Sequence, residues 1–259
     1  MLFTDQLDHT IQLDSFPKRI ISLVPSQSEL LWDLGLRDEL CGITKFCVHP
    51  KLMYETINRV GGTKTLNLDL IKSLNPDLII GNKEENEQSQ IIELQKYYPV
   101  WMSDIVNLKD SLKMIELLGD LTNTAEKAMQ IKNGIELSFL SLKQKPKSVL
   151  YLIWKNPYMA AGKATFIGDM LAKMGLVNVI KDPNGRYPEI TIEEIKTLKP
   201  DYIFLSSEPF PFNEKHSIDL KKELPNSKPM VVDGELFSWY GSRLLKSAEY
   251  FNSLIDSYL

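Results

Sequence analysis

Apolar residues along the chain fall into two textures. Short apolar runs, Ile20 to Val24 with Ser22 inside it, Leu78 to Ile80, Val149 to Ile153 and Tyr202 to Phe204, have the length and composition of buried strands. Elsewhere the spacing is helical. From Asn107, Leu108, Leu112, Ile115 and Leu118 keep one face until Gly119. Asn123, with Glu126 three residues later, then predicts the start of a second helix, whose stripe of Ala125, Ala128, Lys132, Ile135, Phe139 and Leu142 runs to about Lys145, before Pro146. Such a helix would hold about 22 residues and measure about 33 Å.

The pattern also repeats. Leu68-Asp-Leu-Ile-Lys-Ser-Leu-Asn-Pro76-Asp-Leu-Ile-Ile80 runs in step with Ile192-Glu-Glu-Ile-Lys-Thr-Leu-Lys-Pro200-Asp-Tyr-Ile-Phe204. Each copy reads as a short helix, a Pro-Asp turn and a buried strand, because proline lacks the amide hydrogen that would continue the helix. Strand Ile20 to Val24 matches Val149 to Ile153. The helix end Leu34-Gly35-Leu36 matches Met174-Gly175-Leu176, where glycine supplies a left-handed cap. Three matches in one order predict two homologous α/β lobes with mostly parallel sheets, residues 1–106 and 147–259. Residues 107–146 form the connection, including the long helix. A helix with an apolar stripe makes a stiff join, unlike a Gly/Ser/Pro linker.

Composition narrows the function classes. With 259 residues and 43% hydrophobic content the chain can build real cores. Thirty Lys and Arg against 34 Asp and Glu give a net charge of −4 without a basic block, which argues against nucleic acid. No apolar run approaches the roughly 20 residues of a membrane-spanning helix. Residues Met1 to Arg19 lack the order of a secretory leader, so the chain as written is expected in the cytoplasm; a leader removed ahead of Met1 would place it in the periplasm or on the cell surface. Cys41 and Cys47 are expected as free thiols, since six extended residues separate them beyond disulfide reach. Gly-x-Ser-x-Gly, phosphate-cradling glycine loops and paired-His zinc motifs are missing, so no enzyme is expected.

Taken in order, Arg19-Ile-Ile-Ser-Leu-Val-Pro-Ser26, Glu29-Leu-Leu, Leu34-Gly35, Gly42-Ile-Thr-Lys-Phe-Cys47, His49-Pro50, Val60-Gly-Gly62, Tyr187-Pro-Glu-Ile190 and Trp239-Tyr-Gly-Ser-Arg243 resemble the substrate-binding proteins of ABC importers for cobalamin and iron-siderophores, the cobalamin branch most closely. The resemblance covers nearly the whole chain, with Asp5 to Leu13 like the family's N-terminal strand pair and Leu117 to Leu140 like its backbone helix. It implies a ligand cleft between lobes that move little, a monomer that binds and delivers without chemistry, and a corrinoid or related metal chelate as transported ligand, with no covalent cofactor and no resident metal.

A large planar chelate has wide apolar faces and a polar edge, so its receptor needs rigid aromatics with a few polar tips. The candidates are Phe46 and His49 from the first lobe and Trp154, Tyr158, Tyr187, Trp239 and Tyr240 from loops of the second. Pro25 and Ser26 join them at a strand-to-helix junction, with Gln27 beside them. Phe237 reads more as core. His49 stands where cobalamin-binding relatives carry an aromatic residue, keeping a flat ring and adding a metal-ligating nitrogen; His9 and His216 read as solvated or turn histidines. Gly81-Asn-Lys-Glu-Glu-Asn-Glu87 puts polarity where relatives place an aromatic side chain, leaving open a smaller or more polar ligand. Permease docking in the family uses one exposed acid per lobe; Glu193 matches it on the second lobe, while on the first the matching position is Gln88, with the acid Glu87 beside it, so the pattern is only partly kept. Three readings stand: an importer's chelate-binding protein, an intracellular carrier on the same scaffold, and an enzyme whose site the sequence does not reveal.

Overall fold

In the computed structural model, which describes residues 1–182 and 185–258, the buried runs form two parallel sheets, each in its own unit of the chain. The first unit comprises Met1–Ile105, Lys109–Glu136 and Trp239–Leu245; the second comprises Val106–Leu108, Leu137–Ser238 and the residues from Lys246 on.

The first unit opens with a hairpin, β1 (Leu2–Thr4) against β2 (Thr10–Gln12). The strand pair expected over Asp5 to Leu13 thus begins earlier. Asp5 lies in its turn, where one carboxylate oxygen accepts the backbone N–H of Leu7 and His9 and the other that of Met102. Then follow β3 (Ile20–Ser22), α1 (Pro25–Asp33), β4 (Leu40–Ile43), α2 (Lys51–Thr56), β5 (Asn58–Arg59), α3 (Leu68–Leu74), β6 (Leu78–Asn82), α4 (Gln88–Gln95) and β7 (Val100–Ser103). The strands lie parallel in the order β5-β4-β3-β6-β7, so the winding reverses between β3 and β6. Ile21, Ile79, Val100 and Ile71 pack one core beneath that sheet. Burying each such side chain is worth roughly 1.5–3 kcal/mol.

Helices α5 (Leu108–Leu121) and α6 (Ala125–Leu140) follow. Both differ from the sequence expectation. Gly119 does not end α5: a Cβ there would overlap Ala128 Cβ, so the glycine permits close approach of the next helix instead of capping this one. Asn123, left-handed at φ 59°, sits in the turn, and α6 starts only at Ala125. That helix has 16 residues, about 24 Å, rather than 22. It stops because Ser141 and Leu142 N–H bond back three residues, to Ser138 and Phe139 carbonyls, while Lys143 N–H is taken by Asn252 Oδ1. The boundary between the two units falls inside α6.

The second unit holds β8 (Ser148–Trp154), β9 (Met159–Ala160), α7 (Phe166–Lys173), β10 (Val177–Asn178), α8 (Ile192–Leu198), β11 (Tyr202–Ser206), α9 (Glu214–Glu223), β12 (Lys228–Val232) and α10 (Gly234–Ser238), then most of α11 (Leu244–Tyr258). Its sheet runs β10-β8-β11-β12 in parallel, with β9 antiparallel on β8.

The repeat is physical. In α3 and α8 the residue before proline, Asn75 or Lys199, turns left-handed and ends the helix. The aspartate after each proline ties down a neighbouring strand: Asp77 accepts N–H of Lys18 and Arg19, and Asp201 accepts both N–H and hydroxyl of Ser148. Those hydrogen bonds, the Ser148 N–H first, hold the Asp201 carboxyl below its ordinary range. Gly35 and Gly175 take the expected positive φ. Cys41 and Cys47 are free thiols. No helix among the described residues is long and apolar enough to cross a membrane.

Candidate functional site

In parallel α/β sheets the strand carboxyl ends open toward solvent with loops that present side chains, and the winding reversal leaves a crevice there. In the first unit the carboxyl ends of β3, β4, β6 and β7 carry Pro25 to Gln27 at the start of α1, Thr44 to Pro50, Gly81 to Glu87 and Asp104. Pro25 opens α1 in the position where its missing N–H costs nothing, and Ser26 is buried behind it. His49 is half-buried and Phe46 is 49% exposed, with Lys45 Nζ 5.1 Å from its ring centroid.

Trp239 and Tyr240 require a correction. Sequence reading places them in the second lobe, but segment Trp239–Leu245 packs with the first unit. Trp239 meets the His49 ring edge-on, centroids 5.8 Å apart. Gly241, at φ 98°, makes the turn, and its N–H donates to Ser111 Oγ at 3.2 Å. Arg243 then donates to both carboxylate oxygens of Glu29, Nε to Oε2 at 2.7 Å and Nη2 to Oε1 at 3.0 Å, with both side chains 8% exposed. The reason is charge pairing across 214 residues of sequence. Glu29 sits in α1 where Ser26 to Trp32 are all buried, so an ionised carboxylate there must find a cation. That acid on the buried face of α1 is the signal that sequence reading passed over.

Sequence reading also missed a buried polar network that joins α1, β6 and β7. Gln27 Nε2 donates to Gly81 O and Ser103 Oγ, and Asn82 Nδ2 donates to the same hydroxyl at 2.9 Å. Asn82 Oδ1 accepts the N–H of Glu84 and Glu85, while Asn86 Nδ2 reaches Leu23 O and Thr63 O. The asparagines of the Gly81 to Glu87 loop are therefore buried scaffolding, and its charged residues face outward. Lys83 pairs with Asp104 at 2.7 Å. Burial, then Glu84, pushes the Glu85 carboxyl up against the pull of Lys64, although part of the residue stays in water and limits the effect. Tyr240 is buried; loss of water, then the Glu85 charge, raises its hydroxyl against the lowering influence of Ser26 and Ser103.

In the second unit Trp154 ends β8, 40% exposed, with its ring against Phe210 at 5.7 Å. Phe210 and Phe212 lie 4.7 Å apart, and His216 touches both at 5.5 Å. His216 Nδ1 accepts the Asn213 N–H at 3.1 Å at the start of α9, so this histidine is a structural cap. Tyr158 is half-buried against the core, and its carbonyl accepts the Ile190 N–H, which places Tyr158 and Tyr187 on paired segments. Arg186 lies 6.0 Å from the Tyr187 ring. Phe237 is fully buried among Tyr151, Phe204 and Phe251.

The acids at α8 divide in role. Glu194 closes a capping box with Thr191, whose backbone and side-chain hydrogen bonds lower its carboxyl. Glu193 stays 80% exposed beside Lys196. Glu87 is exposed at the start of α4 and makes no side-chain cap.

Known proteins share this architecture. A vitamin B12-binding protein of Vibrio cholerae is 25% identical over 74% of this chain and 71% of its own length. The crystal structure of the periplasmic vitamin B12 binding protein BtuF of Vibrio cholerae matches with a TM-score of 0.77 at 23% identity, covering 93% of this chain and 97% of that one. An uncharacterized ABC transporter substrate-binding lipoprotein of Bacillus subtilis, YvrC, is 27% identical over 77% of this chain and 67% of its own. A periplasmic heme binding protein from Pseudomonas aeruginosa gives a TM-score of 0.75 at 20% identity over 92% of both chains. Residues 20–226 match the periplasmic binding protein family, and the chain belongs to it.

Proposed function

We propose that this protein binds a corrinoid or haem-like metal chelate and delivers it to an ABC importer. The observation that carries the reading is the set of solvent-reaching aromatic rings at the carboxyl ends of parallel strands. Phe46 and His49 follow β4 and Trp154 ends β8, where a soluble protein leaves large apolar rings exposed for a partner. In the first unit Phe46 and His49 offer flat surface, backed by the buried rings of Trp239 and Tyr240, with Pro25 and the buried Ser26 beside them and the charged residues Lys83, Glu84, Glu85 and Glu87 as polar rim. In the second, Trp154, Tyr158 and Tyr187 do the same. The relatives named for vitamin B12 and heme support the ligand class. Glu193 and Glu87 are assigned to permease docking, as exposed carboxylates that pair with cations and give orientation and rate more than affinity.

Tryptophan fluorescence tests the ligand class. Cyanocobalamin, cobinamide and haemin absorb in the range of tryptophan emission, so a chelate held against Trp154 or Trp239 quenches strongly at micromolar concentration. Failure of all three, and of ferric siderophores as well, would end the chelate reading. The polar Gly81 to Glu87 loop favours a second candidate, a smaller and more polar chelate carried on the same scaffold; quenching by ferric siderophores but not by corrinoids or haemin would select it.

A further inference from the structure

We infer that Arg243, held by Glu29, is a positioning residue that sets ligand affinity by fixing the Trp239–His49 aromatic pair. This rests on the proposed chelate surface of the first unit. The guanidinium carbon of Arg243 lies 4.6 Å from the Trp239 ring centroid, and Trp239 in turn meets the His49 edge at 5.8 Å. The far side of the guanidinium fork is fixed by two charge-assisted hydrogen bonds to Glu29 on buried helix α1. Between Trp239 and Arg243, Gly241 is pressed close to α1: a Cβ there would come 3.3 Å from the Ser26 carbonyl oxygen. The segment is thus anchored in its middle and at its end, and Trp239 has little freedom left.

Burying two charges is a costly way to fill this space, because a well-packed apolar pair of similar volume is often as stable. An apolar pair lacks a rigid, planar, cationic plate against an indole face, and lysine lacks it as well. The buried charges therefore serve geometry. Arg243 does so from inside the unit, acting through the buried Trp239 on the half-buried His49 that faces the ligand.

The test compares full-length Arg243→Lys, the double variant Glu29→Met/Arg243→Met, and Trp239→Ala. Melting temperature is read alongside affinity for cyanocobalamin and haemin. Arg243→Lys is expected to weaken binding of whichever probe the wild-type protein takes by about tenfold, the scale of coupling between contacting residues. The double methionine variant is expected to regain the wild-type melting temperature yet keep the weakened affinity, which a purely structural ion pair would not do. Recovery of both stability and affinity in the double variant, or wild-type affinity in Arg243→Lys, would overturn the positioning role. Wild-type affinity in Trp239→Ala would instead remove the chelate surface on which the inference stands.

Discussion

Phe237→Ala separates aromatic residues that build the protein from those that face a ligand. The Phe237 ring is fully buried in the second unit, with Phe251 at 4.6 Å, Tyr151 at 5.1 Å and Phe204 at 5.9 Å between centroids. Removing it forfeits roughly 3 kcal/mol of transfer free energy, and aromatic pairs at these centroid distances add about 0.5–1.5 kcal/mol each beyond burial. Partial collapse of the cavity recovers some of that loss. The expected destabilisation is therefore about 3–5 kcal/mol, a drop in melting temperature of roughly 10 °C or more. Trp154→Ala, from a ring 40% exposed against one main neighbour, should cost about 1 kcal/mol. Urea titration followed by circular dichroism gives both values, with the slope checked against wild type because two units need not unfold in one step. A Phe237→Ala loss below about 1.5 kcal/mol at unchanged slope would refute the claim that this ring organises the core. A Trp154→Ala loss of the same size as that of Phe237→Ala would refute the assignment of Trp154 to a surface free for binding.

Gly119→Ala is expected to cost about 1–3 kcal/mol although alanine favours helix, because the new methyl collides with Ala128; thermal melts that show stabilisation would disprove the close α5–α6 approach. His216 is depressed below the ordinary value of 6.5, by burial first and then by Lys155 and Lys215, against Asp219. Its neutral form is the folded one, so its contribution is fully present above 6.5 and fades as pH falls through the lower folded value. His216→Gln should flatten the melting-temperature profile on the acid side of pH 6.5, and parallel profiles for variant and wild type would deny the cap a role. Glu193→Arg should leave ligand quenching unchanged and abolish uptake in cells that depend on this protein; undiminished uptake would remove Glu193 from docking.

What the sequence alone determined were features whose cause is local. Proline at 76 and 200 ends a helix wherever it stands, and the following Asp plus apolar run makes a turn and a strand, so both α/β copies, the glycine caps at 35 and 175 and the parallel sheets were legible. The exposed aromatics after β4 and at the end of β8 were legible for the same reason, since each sits just beyond a strand. Tertiary structure decided whatever depended on a distant partner. Gly119 reads as a helix end until Ala128 is packed against it, and α6 reads as longer until Asn252 takes the Lys143 N–H. Asn82 and Asn86 read as polarity open to a ligand until Leu23, Thr63 and Ser103 supply buried partners. Above all, the pairing of Glu29 with Arg243 across 214 residues drew Trp239 and Tyr240 into the first unit. Periodicity and turn chemistry act over a few residues, whereas a buried charge is satisfied wherever the fold brings its counter-charge, and only the packed chain determines where that is.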